Sequence, residues 1–180
     1  MTARYPVWDG SGWSDVDVPT SGGEPIVVPN VTAIVHPPGD LSRLLLQRRD
    51  KPDEPVYRRL ETPGGRWRAG ESALEAVRRE VAEETGLRVI AVSSESVRHE
   101  PTPQRPFVVD HPIAVTVGVE GAYPALLAVF VVEAEGDPVG LPGESFEPSF
   151  WDVTDVRDLL DSQPEAFTAA AHSVLRTYLG

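Results

Sequence analysis

The sequence predicts an α+β protein: a mixed, largely antiparallel sheet, one central helix, and two helices at the C-terminal end. Three observations carry that expectation. Short β-branched runs recur between breaks rich in Gly and Pro, residues 71–85 have helical composition with signals at both ends, and an apolar stripe at helical spacing follows Pro164. With 41% hydrophobic and 24% charged residues in a chain of 180, the composition is that of an ordered globular domain rather than a disordered chain.

In chain order, residues 1–25 are rich in Gly, Pro, Ser and Asp and read as an N-terminal extension, an irregular ribbon laid on a single domain of residues 26–180. Trp8 and Trp13 within it have two readings: they pin the ribbon to the core or to a second copy, or they stack on a base or sugar. Residues 26–35 are β-branched and read as a strand, with Pro29 at its start or at a bulge. After a turn at residues 37–40, residues 44–47 begin a second strand expected to pair back on the first. A basic loop and a short strand at residues 59–62 lead to the break Pro63-Gly64-Gly65. Residues 71–85 form the central helix, with Glu71 or Ser72 near its N-cap and Gly86 placed to end it. Strands follow at residues 88–97, 115–119 and 126–132, the last two joined through Gly121 and Pro124. The Pro-rich residues 100–106 and the Gly- and Pro-rich residues 136–147 read as loops, the second running into Phe150-Trp151. A short helix at residues 155–160 precedes a longer one after Pro164, whose stripe of Phe167, Ala171, Val174, Leu175 and Tyr178 faces the core.

A net charge of −12 argues against general nucleic-acid binding, which needs a basic surface to neutralise phosphates. No cysteine is present, which removes thiolate metal sites and cysteine nucleophiles. No apolar run reaches transmembrane length, so a soluble, cytoplasmic protein without a membrane partner is expected. The charge is unevenly spread. Arg43, Arg48, Arg49, Lys51, Arg58, Arg59, Arg66 and Arg68 crowd one segment, and the next holds Glu71, Glu75, Glu80, Glu83 and Glu84. A basic stretch feeding an acidic one suits an anion held partly by arginine and partly through a metal.

The helix gives that idea geometry. At roughly 100° per residue, Glu84 lies about 40° to one side of Glu80 and Glu83 about 60° to the other, so the three converge on one surface. Leu74, Val77 and Val81 form the adjoining apolar stripe, which places Glu84 at its core-facing edge. Like charges so close repel, and a buried one without a partner costs more. The alternatives are a solvated acidic face or a site for a hard cation such as Mg2+ or Mn2+, which prefers carboxylate oxygens. Arg78 and Arg79 among the acids, and the paired glycines before the helix, favour the second.

From Gly65 the chain reads GRWRAGESALEAVRREVAEETGL. This segment resembles the Nudix box, with Gly65, Glu71, Arg79, Glu80, Val81, Glu83, Glu84, Gly86 and Leu87 standing at its fixed and aliphatic positions. The resemblance implies the Nudix α/β/α sandwich. It implies a Mg2+- or Mn2+-dependent hydrolase that cleaves the pyrophosphate linkage of a nucleoside diphosphate joined to another moiety, such as ADP-ribose, a nucleotide sugar or a nucleoside triphosphate. Glu80, Glu83 and Glu84 resemble the family's metal-binding carboxylates, Arg79 the arginine that orients them, and Glu71 a partly structural glutamate. Family members differ in which glutamate activates water. Here the choices are Glu83 in the box or Glu144 and Glu147 on the late loop, where each is otherwise an extra ligand or surface charge. An intact box disfavours the competing reading, a catalytically silent nucleotide-binding or interaction module.

Arg48, Arg58 and Arg66, with Arg49, Arg59 and Arg68, are candidates for phosphate contacts, and Gly64 and Gly65 let the backbone approach a substrate closely. His36, His99, His111 and His172 are scattered and read as structural. Pro103 stands at the spacing of a proline in ADP-ribose pyrophosphatases, but with Pro101 and Pro106 beside it the spacing selects no substrate. The expected partner is therefore a small nucleotide-type molecule, with a homodimer left open.

Overall fold

A computed structural model describes residues 2–9, 11–19, 27–93, 97–99, 107–118 and 125–180 of the chain. The N-terminal extension holds a regular antiparallel hairpin, β1 (Thr2–Trp8) and β2 (Trp13–Pro19), where composition predicts an irregular ribbon. Asp9 makes the difference: its carboxylate accepts the Ser11 and Gly12 amides at 2.8 and 2.9 Å, closing an Asx turn that brings Trp8 opposite Trp13.

The β-branched run after it becomes β3 (Val28–His36), followed by β4 (Arg43–Arg49), β5 (Leu60–Glu61) and β6 (Gly64–Arg66). The central helix α1 (Ala73–Thr85) comes next, then β7 (Arg88–Val92), β8 (Val97–His99), β9 (Phe107–Val109), β10 (Ala114–Gly118) and β11 (Ala125–Glu135). β12 (Ser145–Asp152), α2 (Val153–Ser162), a 3-10 turn at Pro164–Ala166 and α3 (Ala169–Leu179) complete the order. β8 and β9 pair with each other. The expected turn through Gly121 and Pro124, the loop at residues 100–106 and Pro103 lie outside the described residues.

β3 and β4 do not pair with each other, contrary to the simple hairpin expected. β3 lies between β11, to which it is parallel, and β6, whereas β4 lies between β12 and β5 in a separate antiparallel sheet. The reason is burial on both faces. β3 is closed over from Asn30 to His36, so it takes an interior position with both edges paired. The intervening turn is fixed on Asp40, whose carboxylate binds the Ser42 amide and Arg43, and by the Gly39 amide donating to Glu133 on β11. Residues 136–147 likewise end earlier as a loop than composition predicts, because Ser145 and Phe146 already pair with Arg49 and Arg48 across a bulge that holds Glu147 at φ 53°.

Two apolar layers result. Val31, Ala33 and Val35 of β3, Leu45 of β4 and Phe130 and Val132 of β11 pack with Leu74, Val77 and Val81 of α1. Ile34, Leu44, Leu46 and Val129 point the other way, against Val156 and Leu160 of α2 and Val174 and Leu175 of α3. Period-two alternation in the strands thus feeds both layers of an α/β/α sandwich. Of the predicted C-terminal stripe, Ala171, Val174 and Leu175 are buried on α3, while Phe167 enters the core from the segment before it. His36 is buried as a structural residue, its ring joined to the Arg43 carbonyl and the Tyr178 hydroxyl.

α1 begins with a capping box, in which Ser72 accepts the Glu75 amide at 3.2 Å and Glu75 accepts the Ser72 amide at 2.7 Å. Asp110 also accepts the Ala73 amide, and Gly86 ends the helix at φ 69°. Ser72→Ala is expected to lower stability by about 1 kcal/mol in urea unfolding; an unchanged midpoint would show that the cap does not hold this helix.

Candidate active site

The side chains of interest meet where the C-terminal half of α1 lies across β6. Glu80 and Glu84 are buried there, whereas Glu83 stands further out in solvent. Both glycines are needed for this approach. A Cβ on Gly65 would come within 2.6 Å of the Glu80 carboxylate, and one on Gly64 would run into the Val31 carbonyl. With the strand this bare, the Gly64 amide donates to Glu84 Oε2 at 3.0 Å.

Arg79 organises the outer side of the cluster. Its guanidinium grips Glu71 at 2.6 and 2.9 Å, pairs with Glu80, reaches Glu83 at 3.3 Å and donates to the Arg66 carbonyl at 3.0 Å. These bonds hold Glu71 below the usual carboxylate range and make Arg79 harder to deprotonate. Arg68 adds a looser pairing with Glu83 at 3.4 Å.

Among the described residues, Glu84 has no cationic partner of this kind. Besides Gly64, its donor is the Gln47 amide at 2.7 Å, and burial pushes its carboxyl up to about 8, helped by the charges of Glu61 and Glu80. Glu61, directly across from Gln47 on β5, is likewise raised to about 7 by burial, against the opposing pull of Arg49 at 3.3 Å. Burial also raises Glu80, in spite of Arg79. Glu83 and Glu84 moreover occupy the last turn of α1, the negative end of its dipole, where basic residues are the favourable choice and none is present.

The sequence expectation is therefore gathered for one group of residues and scattered for another. Glu71, Arg79, Glu80, Glu83, Glu84, Gly64 and Gly65 come together. Arg66 lends its carbonyl to the group, but its guanidinium lies 4.7 Å from the centre of the Trp13 ring and 3.5 Å from the Pro6 carbonyl, tying the hairpin down. Arg48 and Arg58 lie elsewhere. Strand alternation puts Arg48 on the α2–α3 side of its sheet, where it meets Glu147 at 3.4 Å and the Arg58 carbonyl at 3.0 Å. Arg58 covers Tyr57 and Phe146. Glu144 pairs with Lys51 at 2.6 Å, on a loop joined to the end of α1 by the adjacent Ser145, whose hydroxyl donates to the Glu84 carbonyl at 2.6 Å. Gln47 and Glu61 are site residues that composition and motif did not single out. The available signal is a polar Gln directly after the apolar run Leu44, Leu45 and Leu46 of β4, and an acid just before the Pro-Gly-Gly break.

Among the described residues, no three carboxylates or imidazoles are drawn together as a closed cage for a metal ion. The donor set nevertheless fits a hard divalent cation, because Glu84 and Glu80 are buried acids whose charge the protein only partly compensates, on a surface also reached by Glu83.

The NUDIX domain model matches residues 28–173, and the chain belongs to that family. Solved structures share the fold at low identity. A MutT NUDIX hydrolase from Burkholderia pseudomallei is 19% identical, covering 84% of this chain and 97% of its own, with a TM-score of 0.56. The MutT protein of Methanosarcina mazei Go1 is 21% identical over 87% and 96%, TM-score 0.55, and the Bacillus halodurans MutT protein 22% over 85% and 82%, TM-score 0.52. No curated protein matches the chain.

The raised carboxyls carry a definite pH signature. A group that keeps its proton up to about 8 when folded, and loses it near 4.5 when unfolded, supports the fold below the lower value and withdraws that support as pH rises through the higher one. Without divalent ions, wild type should lose roughly 3–5 kcal/mol relative to Glu84→Gln between pH 4.5 and 8. Parallel stability curves for the two proteins would refute the burial of an uncompensated Glu84.

Proposed function

We propose that the protein is a Mg2+- or Mn2+-dependent pyrophosphohydrolase acting on a nucleoside diphosphate joined to a further group. The observation that carries this reading is Glu84, a buried acid held by a backbone amide and a glutamine instead of a basic side chain, beside Glu80 and Glu83 on one helix surface. Glu80, Glu83 and Glu84 would hold the cation, which on binding neutralises phosphate oxygens and favours attack on phosphorus.

The chain's own residues then have distinct tasks. Arg79 fixes the orientation of Glu80 and Glu71. Glu83, the most exposed of the three, is the candidate to take the proton from the attacking water as the P–O bond to the leaving phosphate breaks. Glu144 stands second for that task, since Ser145 ties its loop to the end of α1, and Glu147 third, being engaged with Arg48 across the sheet. Gly64 and Gly65 let α1 bring its carboxylates against β6, and Arg68, paired with Glu83, is proposed to meet the diphosphate. A silent nucleotide-binding module remains the rival, favoured by one observation: the carboxylates are not gathered in advance.

The discriminating experiment is a panel of nucleoside di- and triphosphates, ADP-ribose, dinucleoside polyphosphates and nucleotide sugars with Mg2+ or Mn2+. Phosphate or nucleotide release is expected from at least one class, and Glu84→Gln should cut kcat by at least about a hundredfold while folding is retained. Absence of turnover across the panel would establish the silent module. pH–rate profiles of Glu83→Gln, Glu144→Gln and Glu147→Gln locate the base, with loss of the acidic limb expected for Glu83→Gln alone.

A further inference from the structure

Gln47 is fully buried, yet its side-chain carbonyl oxygen has no hydrogen-bond partner among the described residues. An orphan acceptor in the interior is costly, so something must hold the amide in this orientation. Its NH2 group supplies the reason, because it faces two buried carboxylates. It donates to Glu84 Oε2 at 2.7 Å, and Glu61 is its direct cross-strand neighbour on β5. Turning the amide over would set its oxygen against both acids. Glu61 is anchored in its turn by Arg49, which is also fixed in a two-pronged grip on Glu54 at 2.5 and 3.0 Å.

Arg49, Glu61, Gln47 and Glu84 thus form a row of neighbouring polar side chains running from the end of β4 to the carboxylate helix. We propose that Glu61 is a positioning residue for the cation site, acting through Gln47 to fix the Glu84 carboxylate so that its second oxygen is presented to a divalent ion. The inference rests on the reading of Glu84 as a cation ligand. It extends that reading to two residues outside the carboxylate helix. Partners that orient metal ligands typically change affinity by 10–100-fold when removed, and a chain of contacts has a signature that bulk electrostatics lacks. If Glu61 acts through Gln47, breaking both links does little more than breaking one.

The test is Mn2+ binding to the full-length protein at equilibrium, read by the loss of the free-ion EPR signal, for wild type, Glu61→Gln, Gln47→Leu and the double variant. Each single substitution is expected to weaken binding about tenfold or more, with the double variant within about twofold of the weaker single one. Arg49→Gln, at the more exposed end of the chain, should weaken binding in the same direction, and it serves if either core variant fails to fold. Unchanged affinity in Glu61→Gln and Arg49→Gln, or strictly additive losses in the double variant, would overturn the positioning role. Absence of Mn2+ binding to wild type itself would instead overturn the cation site proposed above, and with it this extension.

Discussion

The arrangement of this molecule turns on one unfavourable burial. Glu84 sits beneath a glycine strand with a backbone amide and a glutamine for company, and with two further acids within electrostatic reach. An isolated charge in that position is costly, and proteins answer such a cost by neutralising the group or by supplying a counter-charge. Arg79, the base at the centre of the carboxylate cluster, is committed to Glu71 and Glu80. Glu84 is thus left for a partner that the polypeptide does not itself provide.

Much of the fold serves to hold that position. The bare strand β6 admits the helix because Gly64 and Gly65 lack side chains at the two points of closest approach. The apolar stripe Leu74, Val77 and Val81 fixes the rotation of α1 and so brings Glu80 and Glu84 inward while Glu83 stays in solvent. Gly86 ends the helix just beyond them, and Ser145 ties the start of β12 to the Glu84 carbonyl. Stability is given up locally, with like charges at the negative end of a helix dipole, and offset by two well-packed layers elsewhere.

The helix and its carboxylates were legible in the sequence because they depend on local spacing: a 3.6-residue period, a capping serine and a terminating glycine act within a few residues of one another. Gln47 and Glu61 were not, since their meaning comes from cross-strand pairing between β4 and β5 and from a contact with a helix far along the chain. The same distinction explains the strand order. Residues 26–35 and 44–47 read as strands and overlap β3 and β4, but alternation says which face a side chain takes and is silent on which neighbour a strand pairs with. Arg48 and Arg58 show a related limit. Clustering along the sequence does not survive the pleat, which sends Arg48 and Arg49 to opposite sides of one sheet.

The most direct test of the central claim is calorimetric titration of the protein with Mg2+ at pH 7 in buffers of differing ionisation enthalpy. Because Glu84 holds its proton up to about 8 when no cation is bound, ion binding should expel a substantial fraction of one proton, and Glu84→Gln should abolish that release. Cation binding without proton release, or release that persists in Glu84→Gln, would contradict the account.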